Sequence, residues 1–349
     1  MFSRAKQYLS DRKEDISDFT GRKRIGKIVV ILLLLYLLVT IILGIYWSSE
    51  PETFSVREYS REQALKMERE PVPGFLLTST LIHMSETLLN KPGGYISNDI
   101  MPPGLWMDNM PNWEFGVLVQ VRDMARSLRQ SMSRSQSQSA EDPDLVIAEP
   151  QFNFSSDSWA LPSTESEYKR GINALKRYRE RLSRPSGPEA QFYARADNLN
   201  AWLGDLETRL GSLSRLLGES VGKQAVSETL SVAERGDPLT EPEKGEVIST
   251  PWTRIDDVFY EARGTSWALL HLFKAIEVDF RDVLVKKAAL ASVRQIIIEL
   301  EGSQRPMWSP VILNGDGFGV LANHSLTMAA YLSRANSAIS DLRSLLSSG

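Results

Sequence analysis

An uncharged run of 20 residues, Ile28–Trp47, decides where the rest of this chain resides. It reads IVVILLLLYLLVTIILGIYW. An α-helix of that length spans about 30 Å, the thickness of a bilayer's hydrocarbon core. Because lipid offers backbone amides no hydrogen-bond partners, such a segment adopts a helix. The run therefore predicts one transmembrane helix, with the lipid bilayer as its partner.

Basic residues are distributed unequally around this run. Eight lysines and arginines precede it, four of them within residues 22–27, and the first basic residue after it is Arg57. Lysine and arginine are retained on the cytoplasmic side of a membrane, and Tyr46 and Trp47 suit the opposite interface. The flanks predict a cytoplasmic N-terminus and an exported C-terminal domain.

Two other interpretations of the run fit less well. A cleaved signal peptide has an apolar stretch of about 7–15 residues followed by small residues, whereas this run has 20 residues and ends in Tyr46 and Trp47. A helix packed on the core of a soluble domain would have a polar face, which this run lacks. We therefore expect an uncleaved membrane anchor.

Composition narrows the compartment and the class of partner. Residues 1–27 hold eight of the 40 basic and four of the 44 acidic side chains, so the rest of the chain carries a net charge of about −8. An acidic exported domain argues against nucleic acid as a partner. The absence of cysteine excludes disulfides and thiolate metal sites, and it indicates a bacterial periplasm. The sequons at Asn153 and Asn323 keep a eukaryotic secretory origin open.

The hydrophobic periodicity after the anchor is helical almost throughout. We predict a mainly α fold, a helical-bundle domain with long loops and little or no β-structure. The clearest apolar stripe has spacings of three and four residues and comprises Leu199, Trp202, Leu206, Leu210, Leu213 and Leu217. Short β-prone pieces, Leu145-Val-Ile-Ala and Pro310-Val-Ile-Leu, predict at most a small ribbon.

The predicted organisation has four parts. They are a basic cytoplasmic tail (1–27), the transmembrane helix (28–47), a stalk (48–73) and a mostly helical periplasmic domain (74–349). Within the stalk, residues 56–69 are predicted to extend the membrane helix outward. The domain is subdivided by prolines and glycine near 184–190 and by an acidic, proline-bearing linker over 231–250.

Two carboxylates, Asp257 and Glu261, are the candidates for catalysis. They are four positions apart and therefore share one face of a predicted helix. Glycoside hydrolysis uses a pair of carboxyl groups about 5–9.5 Å apart. Because Arg254 and Arg263 flank the pair, a solvated ion-pair network is the interpretation that the sequence favours. We therefore assign no catalytic residue.

No spacing in the chain matches a motif for a metal or a cofactor, and we predict neither. The three histidines, His83, His271 and His324, form no paired metal pattern. His271 lies among leucines, as is typical of a packed helix histidine. The glycines at 315, 317 and 319 precede a helix, but their spacing is not that of a nucleotide-binding loop.

Residues 91–112 form the most unusual segment, with four prolines and no helical period. It carries Met101, Trp106, Met107 and Met110, which we assign as a candidate partner surface because methionine and tryptophan make adaptable contacts. The alternative is a loop that covers the helical core, since apolar loop residues are usually buried.

Four runs along the domain carry a resemblance to a known family. They are Gly94-Tyr-Ile-Ser-Asn-Asp-Ile, Pro111-Asn-Trp-Glu-Phe-Gly, Ile255-Asp-Asp-Val-Phe-Tyr-Glu-Ala-Arg-Gly and Ala322-Asn-His-Ser-Leu. With them, the chain resembles a family of uncharacterised proteobacterial single-pass inner-membrane proteins, a domain of unknown function. The resemblance implies a Gram-negative source and a periplasmic location, and it brings no activity and no site residues.

These features favour a non-enzymatic envelope protein that scaffolds or regulates a membrane or periplasmic complex. Its partner would be another protein or a second copy of the chain, because helices with wide apolar stripes also pack between subunits. Two other functions stay open. One is a cell-wall glycan hydrolase that uses Asp257 and Glu261, and the other is a module that binds a lipid or small molecule in a cleft near Trp106 and Trp113.

Overall fold

The computed structural model of the chain describes residues 2–134, 140–185, 187, 189–221, 250–307, 309, 311–315 and 322–348, with side chains from Ile25 onward except that of residue 252. The described part contains eleven α-helices and no β-strand, so the predicted mainly α fold is confirmed. The helices are α1 (Phe2–Trp47), α2 (Val56–Lys66), α3 (Phe75–Asn90), α4 (Asn109–Ser127), α5 (Pro143–Phe152), α6 (Thr164–Leu182), α7 (Ala196–Glu219), α8 (Ile255–Asp279), α9 (Arg281–Lys286), α10 (Leu290–Ser303) and α11 (His324–Ser347).

Helix α1 is one continuous helix that runs from the basic tail to Trp47. Its 23-residue stretch Ile25–Trp47 is long and apolar enough to cross a bilayer. Nearly all of the apolar side chains in this stretch are exposed. The stretch is therefore unlike the core helix of a soluble domain, which would be buried.

Helix α8 is the central helix of the bundle. It contacts α2, α3, α4, α7, α9, α10 and α11, and its most extensive contact is with α4. Residues 262–273 of α8 are buried without interruption. A helix that is covered on all sides needs small and apolar residues around its whole circumference, and α8 has them.

Two outer groups of helices complete the bundle. On one side, α7 pairs with α11, which also packs on α10. The predicted leucine stripe of α7 is buried along its whole length, from Leu199 to Leu217, and is confirmed. On the other side, α5 packs on α6, which joins the bundle through α3.

Helix ends follow local capping chemistry. Ser163 accepts a hydrogen bond from the amide of Ser166, which confirms the predicted N-cap of α6. Gly74 is the N-cap residue of helix α3, and it has no side chain to cap the helix. Its cap comes from the end of α8, because the carboxylate of Asp279 accepts a hydrogen bond of 2.7 Å from the amide of Leu77. Burial raises the pKa of Asp279 to about 7.

Two predictions about secondary structure are wrong. Leu145-Val-Ile-Ala is not a strand but part of α5, because Asp142 caps that helix and Pro143 starts it. Residues 56–66 do not extend α1, because an extended segment separates the two helices and α2 packs on α3.

Other predicted features fall partly outside the described residues. Residues 231–249 of the predicted linker, Pro310, and the glycines at 317 and 319 all lie there. Residues 311–313 form no strand, and α4 begins at Asn109, inside the predicted loop 91–112.

Candidate functional site

The candidate site is the junction at which α1 meets the bundle. It comprises the last two turns of α1, the non-helical segment of residues 48–55 that we call the strap, the loop of residues 91–108, and the facing parts of α4 and α8. The strap follows α1 directly and lies along α8. Three pairs of residues hold it there. Arg263 Nε donates to Glu50 (3.1 Å), Trp267 Nε1 donates to the carbonyl of Glu52 (3.2 Å), and the amide of Phe54 donates to Nε2 of His271 (3.0 Å).

The spacing of these hydrogen bonds follows from two backbone repeats. Every second residue of the strap meets every fourth residue of α8. Two residues of extended chain rise about 6.6 Å, and four residues of α-helix rise about 6.0 Å. Because the two distances nearly match, the strap stays in register with α8 over all three contacts.

Arg263 ties the strap to a third element. Its guanidinium is buried and also donates to the carbonyls of Ser303 (2.8 Å) and Arg305 (2.9 Å), at the end of α10. A buried charge is tolerated when a carboxylate and further hydrogen bonds satisfy it. Arg263 therefore joins the strap, α8 and α10.

His271 is fully buried, and both of its ring nitrogens have partners. Nδ1 lies 2.7 Å from the carbonyl of Trp267, and Nε2 accepts the amide hydrogen of Phe54. These partners require a proton on Nδ1 and none on Nε2, so the ring is neutral. Burial lowers the pKa of His271 to about 3. The ring of Phe54 stacks on the imidazole at 4.0 Å, and the predicted packed histidine is confirmed.

A buried ion pair fixes the start of the loop on α4. Lys91 Nζ lies 2.5 Å from the carboxylate of Glu114, and neither side chain has appreciable contact with solvent. The same carboxylate accepts the amides of Ile96 (2.8 Å) and Ser97 (2.9 Å), and Lys91 also donates to the carbonyl of Gly94 (2.6 Å). One glutamate thus organises residues 91–97.

Two glycines bring α4 and α8 into backbone contact. A Cβ on Gly264 would lie 2.0 Å from the carbonyl oxygen of Trp113, and a Cβ on Gly116 would lie 2.2 Å from that of Glu261. No side chain fits at either position without separating the helices. Helix α8 continues through Gly264, so this glycine serves the contact between helices.

The loop also touches the end of α1. A Cβ on Gly93 would lie 2.7 Å from the indole ring of Trp47, and a Cβ on Gly44 would lie 3.5 Å from Cβ of Pro103. One turn before Gly44, Thr40 is only 3% exposed, although its neighbours are about half exposed. One face of the last two turns of α1 is therefore covered.

The structure divides the candidate partner surface. Met101 and Trp106 are 66% and 61% exposed, whereas Met110 is buried on α4 and Met107 is half-buried against the core. Two further exposed apolar residues of this loop, Ile100 and Leu105, were not among the predicted residues. Outside a helix or strand, no periodic pattern in the sequence indicates whether an apolar side chain is buried or exposed.

The two candidate carboxylates lie on α8 near α4. Asp257 accepts a hydrogen bond of 2.7 Å from Asn112 Nδ2, and burial raises its pKa. Burial alone raises the pKa of Glu261. Arg263 binds the strap, so it does not form the predicted ion-pair network with this pair. Within the described residues, no group of three or more histidine or acidic side chains is placed to hold a metal ion.

A cavity of about 460 Å³ lies between α8, α10 and α11. Its walls are mainly apolar, and they include Phe259, Met307, Met328 and Tyr331, with His324 at one side. The size is that of a small-ligand site. The cavity was not predicted, because its walls combine part of α8 with α10, α11 and the irregular segment between them, and no local pattern indicates that these parts meet. Trp113, near which a cleft was considered, is instead buried against Trp267 at 5.3 Å.

Comparison with known proteins gives a family but no function. Residues 21–349 match the family DUF2333, which is described as an uncharacterised protein conserved in bacteria. The predicted resemblance to an uncharacterised bacterial family is confirmed. No curated protein and no solved structure matches the chain. Three of the four runs that carry the resemblance contribute residues to the junction, among them Gly94, Glu114, Gly116, Arg263 and Gly264.

Proposed function

We propose that the chain, which belongs to the bacterial family DUF2333, is a membrane-anchored periplasmic protein that scaffolds or regulates an envelope complex without catalysing a reaction. The observation that carries this proposal is the strap. Three hydrogen-bonded residue pairs and a stacked aromatic pair attach it to the central helix directly after α1. The bundle is thereby held at a fixed orientation to its anchor.

The strap differs from the linker of a tethered enzyme. A flexible tether lets a catalytic domain search for its substrate, and such linkers are rich in glycine and serine. Residues 50–55 are Glu-Pro-Glu-Thr-Phe-Ser, and they bind α8 at every second position. A rigid connection suits a protein whose task is to hold a partner at a defined height and angle above the bilayer.

The orientation in the membrane follows from charge. The basic residues before α1's apolar stretch remain in the cytoplasm, and the acidic bundle lies in the periplasm. A reporter enzyme that is active only after export, fused after residue 349, tests this topology. We expect activity from the full chain and none from a matched fusion that lacks residues 25–47. An inactive, well-expressed full-length fusion would contradict the membrane anchor.

The scaffold role is tested by crosslinking in intact cells followed by detergent extraction. We expect the chain to be recovered in a complex with another protein or with a second copy of itself. The matched variant is Glu50→Ala, which frees the strap from Arg263 and should reduce the yield of that complex at an equal protein level. Recovery of a bare monomer in every condition would contradict a scaffold.

The cavity supports a second candidate function, a module that binds a lipid or small molecule. Its apolar walls suit an acyl chain or another apolar group. Native mass spectrometry of the full chain extracted in detergent should then detect a retained molecule. A Met328→Trp variant fills the cavity and should lose it. If both proteins carry the same extra mass, or if neither carries any, this candidate is contradicted.

A glycan hydrolase would depend on Asp257 and Glu261. The raised pKa of each carboxyl suits a general acid. A strain that lacks the protein, complemented with the Asp257→Ala, Glu261→Ala double variant, decides the matter. Full rescue at a normal protein level would exclude hydrolysis by this pair.

A further inference from the structure

Two uncharged loops, one in the junction and one bonded to it, expose several large apolar side chains. Residues 100–107 (IMPPGLWM) and residues 158–164 (SWALPST) contain no charged residue. The exposed side chains of the first loop are those of Ile100, Met101, Leu105 and Trp106, and those of the second are Trp159 and Leu161. We call these six residues the apolar rim. A rim of this kind on an acidic domain indicates a site of contact.

The two loops of the rim are joined to each other. Asn98 Nδ2 donates hydrogen bonds to the carbonyl of Ser158 (2.9 Å) and to the carboxylate of Glu165 (3.0 Å). Asn98 itself is nearly buried. It lies two residues before the first loop, so the bonds hold the loops side by side. The six apolar side chains therefore belong to two neighbouring loops.

The contact with α1 gives the position of the first loop along the membrane anchor. Pro103, in the middle of the loop, lies against Gly44. Gly44 is three residues, or about 4.5 Å, before the end of the apolar stretch at Trp47, and Thr40 on the same covered face is about 10 Å before it. The loop therefore reaches below the end of α1, to a depth at which the helix is surrounded by lipid.

We propose that the apolar rim inserts into the periplasmic leaflet of the same bilayer that holds α1. This inference rests on the proposed membrane anchor. The occupant is lipid because the level of the loop is set by its contact with α1, and tryptophan, leucine and methionine side chains partition into the boundary between head groups and acyl chains. The bundle thus touches the membrane through its rim as well as through α1.

The direction of α8 separates the rim from the opposite end of the bundle. Counted from the end of α1, the strap contacts Arg263 first and His271 last, so the distance from α1 increases along α8 toward Asp279. The sixteen residues from Arg263 to Asp279 rise about 24 Å. Helix α9 follows at that far end, where Val285 is 57% exposed, almost as much as Leu105 at 58%. Val285 is therefore a control that is matched in exposure and differs in predicted depth.

The test uses single cysteines, because the natural chain has none. Leu105→Cys, Leu161→Cys, Val285→Cys and Ile45→Cys are each labelled with a nitroxide in the full chain, which is reconstituted in phosphatidylcholine nanodiscs. Relaxation of each label by oxygen, which dissolves in lipid, is compared with relaxation by a water-soluble nickel chelate. We expect the labels at Leu105 and Leu161 to show an oxygen-to-nickel ratio at least about fivefold above that at Val285, and close to that at Ile45 in α1.

The possible outcomes distinguish the proposed membrane anchor from the proposed insertion of the apolar rim. If the label at Ile45 is in lipid and those at Leu105 and Leu161 are as open to nickel as that at Val285, the anchor stands and the insertion of the rim is wrong. If the label at Ile45 itself is open to nickel, both proposals are wrong. If the rim labels are shielded from both reagents, a protein covers the rim, and lipid is the wrong occupant.

Discussion

The α7–α11 pair and the junction are both well buried, but different chemistry holds them together. The contact of α7 with α11 is made by leucines at helical spacing, with half-exposed polar pairs such as Glu207–Arg343 at its edge. The junction instead uses a buried Lys91–Glu114 ion pair, a neutral histidine and a glycine contact between backbones.

The difference shows which part of this fold allows only one packing arrangement. Leucine side chains repack readily, so an interface of leucines tolerates substitutions that preserve volume. A buried charge needs its own set of partners at fixed distances, and removal of its counter-ion leaves an unpaired group. A contact between two backbones likewise has no side chain that could adjust. The part of the molecule that sets the orientation of the bundle to α1 is the part with the least freedom to repack.

The largest difference between the two regions should come from Glu114→Ala. It leaves the ammonium of Lys91 buried without a counter-ion and frees two loop amides, so the free energy of unfolding should fall by about 3–5 kcal/mol. The matched control, Glu207→Ala in α7, removes a half-exposed ion pair and should cost less than about 1 kcal/mol. Urea unfolding in detergent, followed by circular dichroism, measures both. Equal losses would remove the distinction between the regions.

A pair of glycine substitutions should give the next largest effect. Gly264→Ala places a methyl group against the carbonyl of Trp113 and should lower the free energy of unfolding by about 2–3 kcal/mol, because neither backbone has room to move. Gly218→Ala in α7 meets no atom within 4 Å and should raise it by up to about 1 kcal/mol, since alanine is the better helix former. Thermal unfolding of the two variants beside the natural chain measures the difference. Changes of the same sign would argue against a backbone contact.

Acid should loosen the strap. In the unfolded chain, His271 takes up a proton below a pH of about 6.5, whereas the folded protein keeps the ring neutral until a pH of about 3. Stability from this group is therefore complete above pH 6.5 and is lost as the pH falls, by about 2 kcal/mol at pH 5. Hydrogen exchange at the amide of Phe54 should accelerate over the same interval. A His271→Gln variant should show a flatter pH profile, and an unchanged profile would contradict this assignment.

The smallest effect is expected at the far end of α8. Because burial raises the pKa of Asp279 to about 7, the stability from its protonated form is lost as the pH rises through 7. Asp279→Asn stays neutral and keeps an oxygen for the amide of Leu77. At pH 8 it should raise the free energy of unfolding, and the gain should shrink toward pH 4. A loss of stability at pH 8 would indicate that the charged form is the better cap for α3.

The sequence predicted the parts of this fold that rest on local patterns. The leucine stripe of α7 and the cap at Ser163 are visible in a window of a few residues, and the structure has both. The apolar run Leu145-Val-Ile-Ala misled, because a capped helix start outweighed the β-preference of its side chains.

The junction could not be predicted in the same way. Lys91 and Glu114 are residue types that usually face water, and nothing near them in sequence indicates that they meet. The strap makes its contacts with residues more than 200 positions away. Its alternation of residues that face α8 covers only five positions, which is too short to be recognised in the sequence. The family runs were the useful signal, since Glu114, Gly116 and Gly264 lie within them.

The register of the strap limits how this segment is able to vary among relatives of the chain. Successive residues of an extended segment face opposite sides, so inserting a single residue between Glu50 and Phe54 would turn one end of the segment away from α8. Two inserted residues would turn the contacting side chains toward α8 again, and they would shift the end of α1 by about one turn along α8. Natural length changes within this segment should therefore occur in even steps, and each step would shift the end of α1 along α8 by about 6 Å.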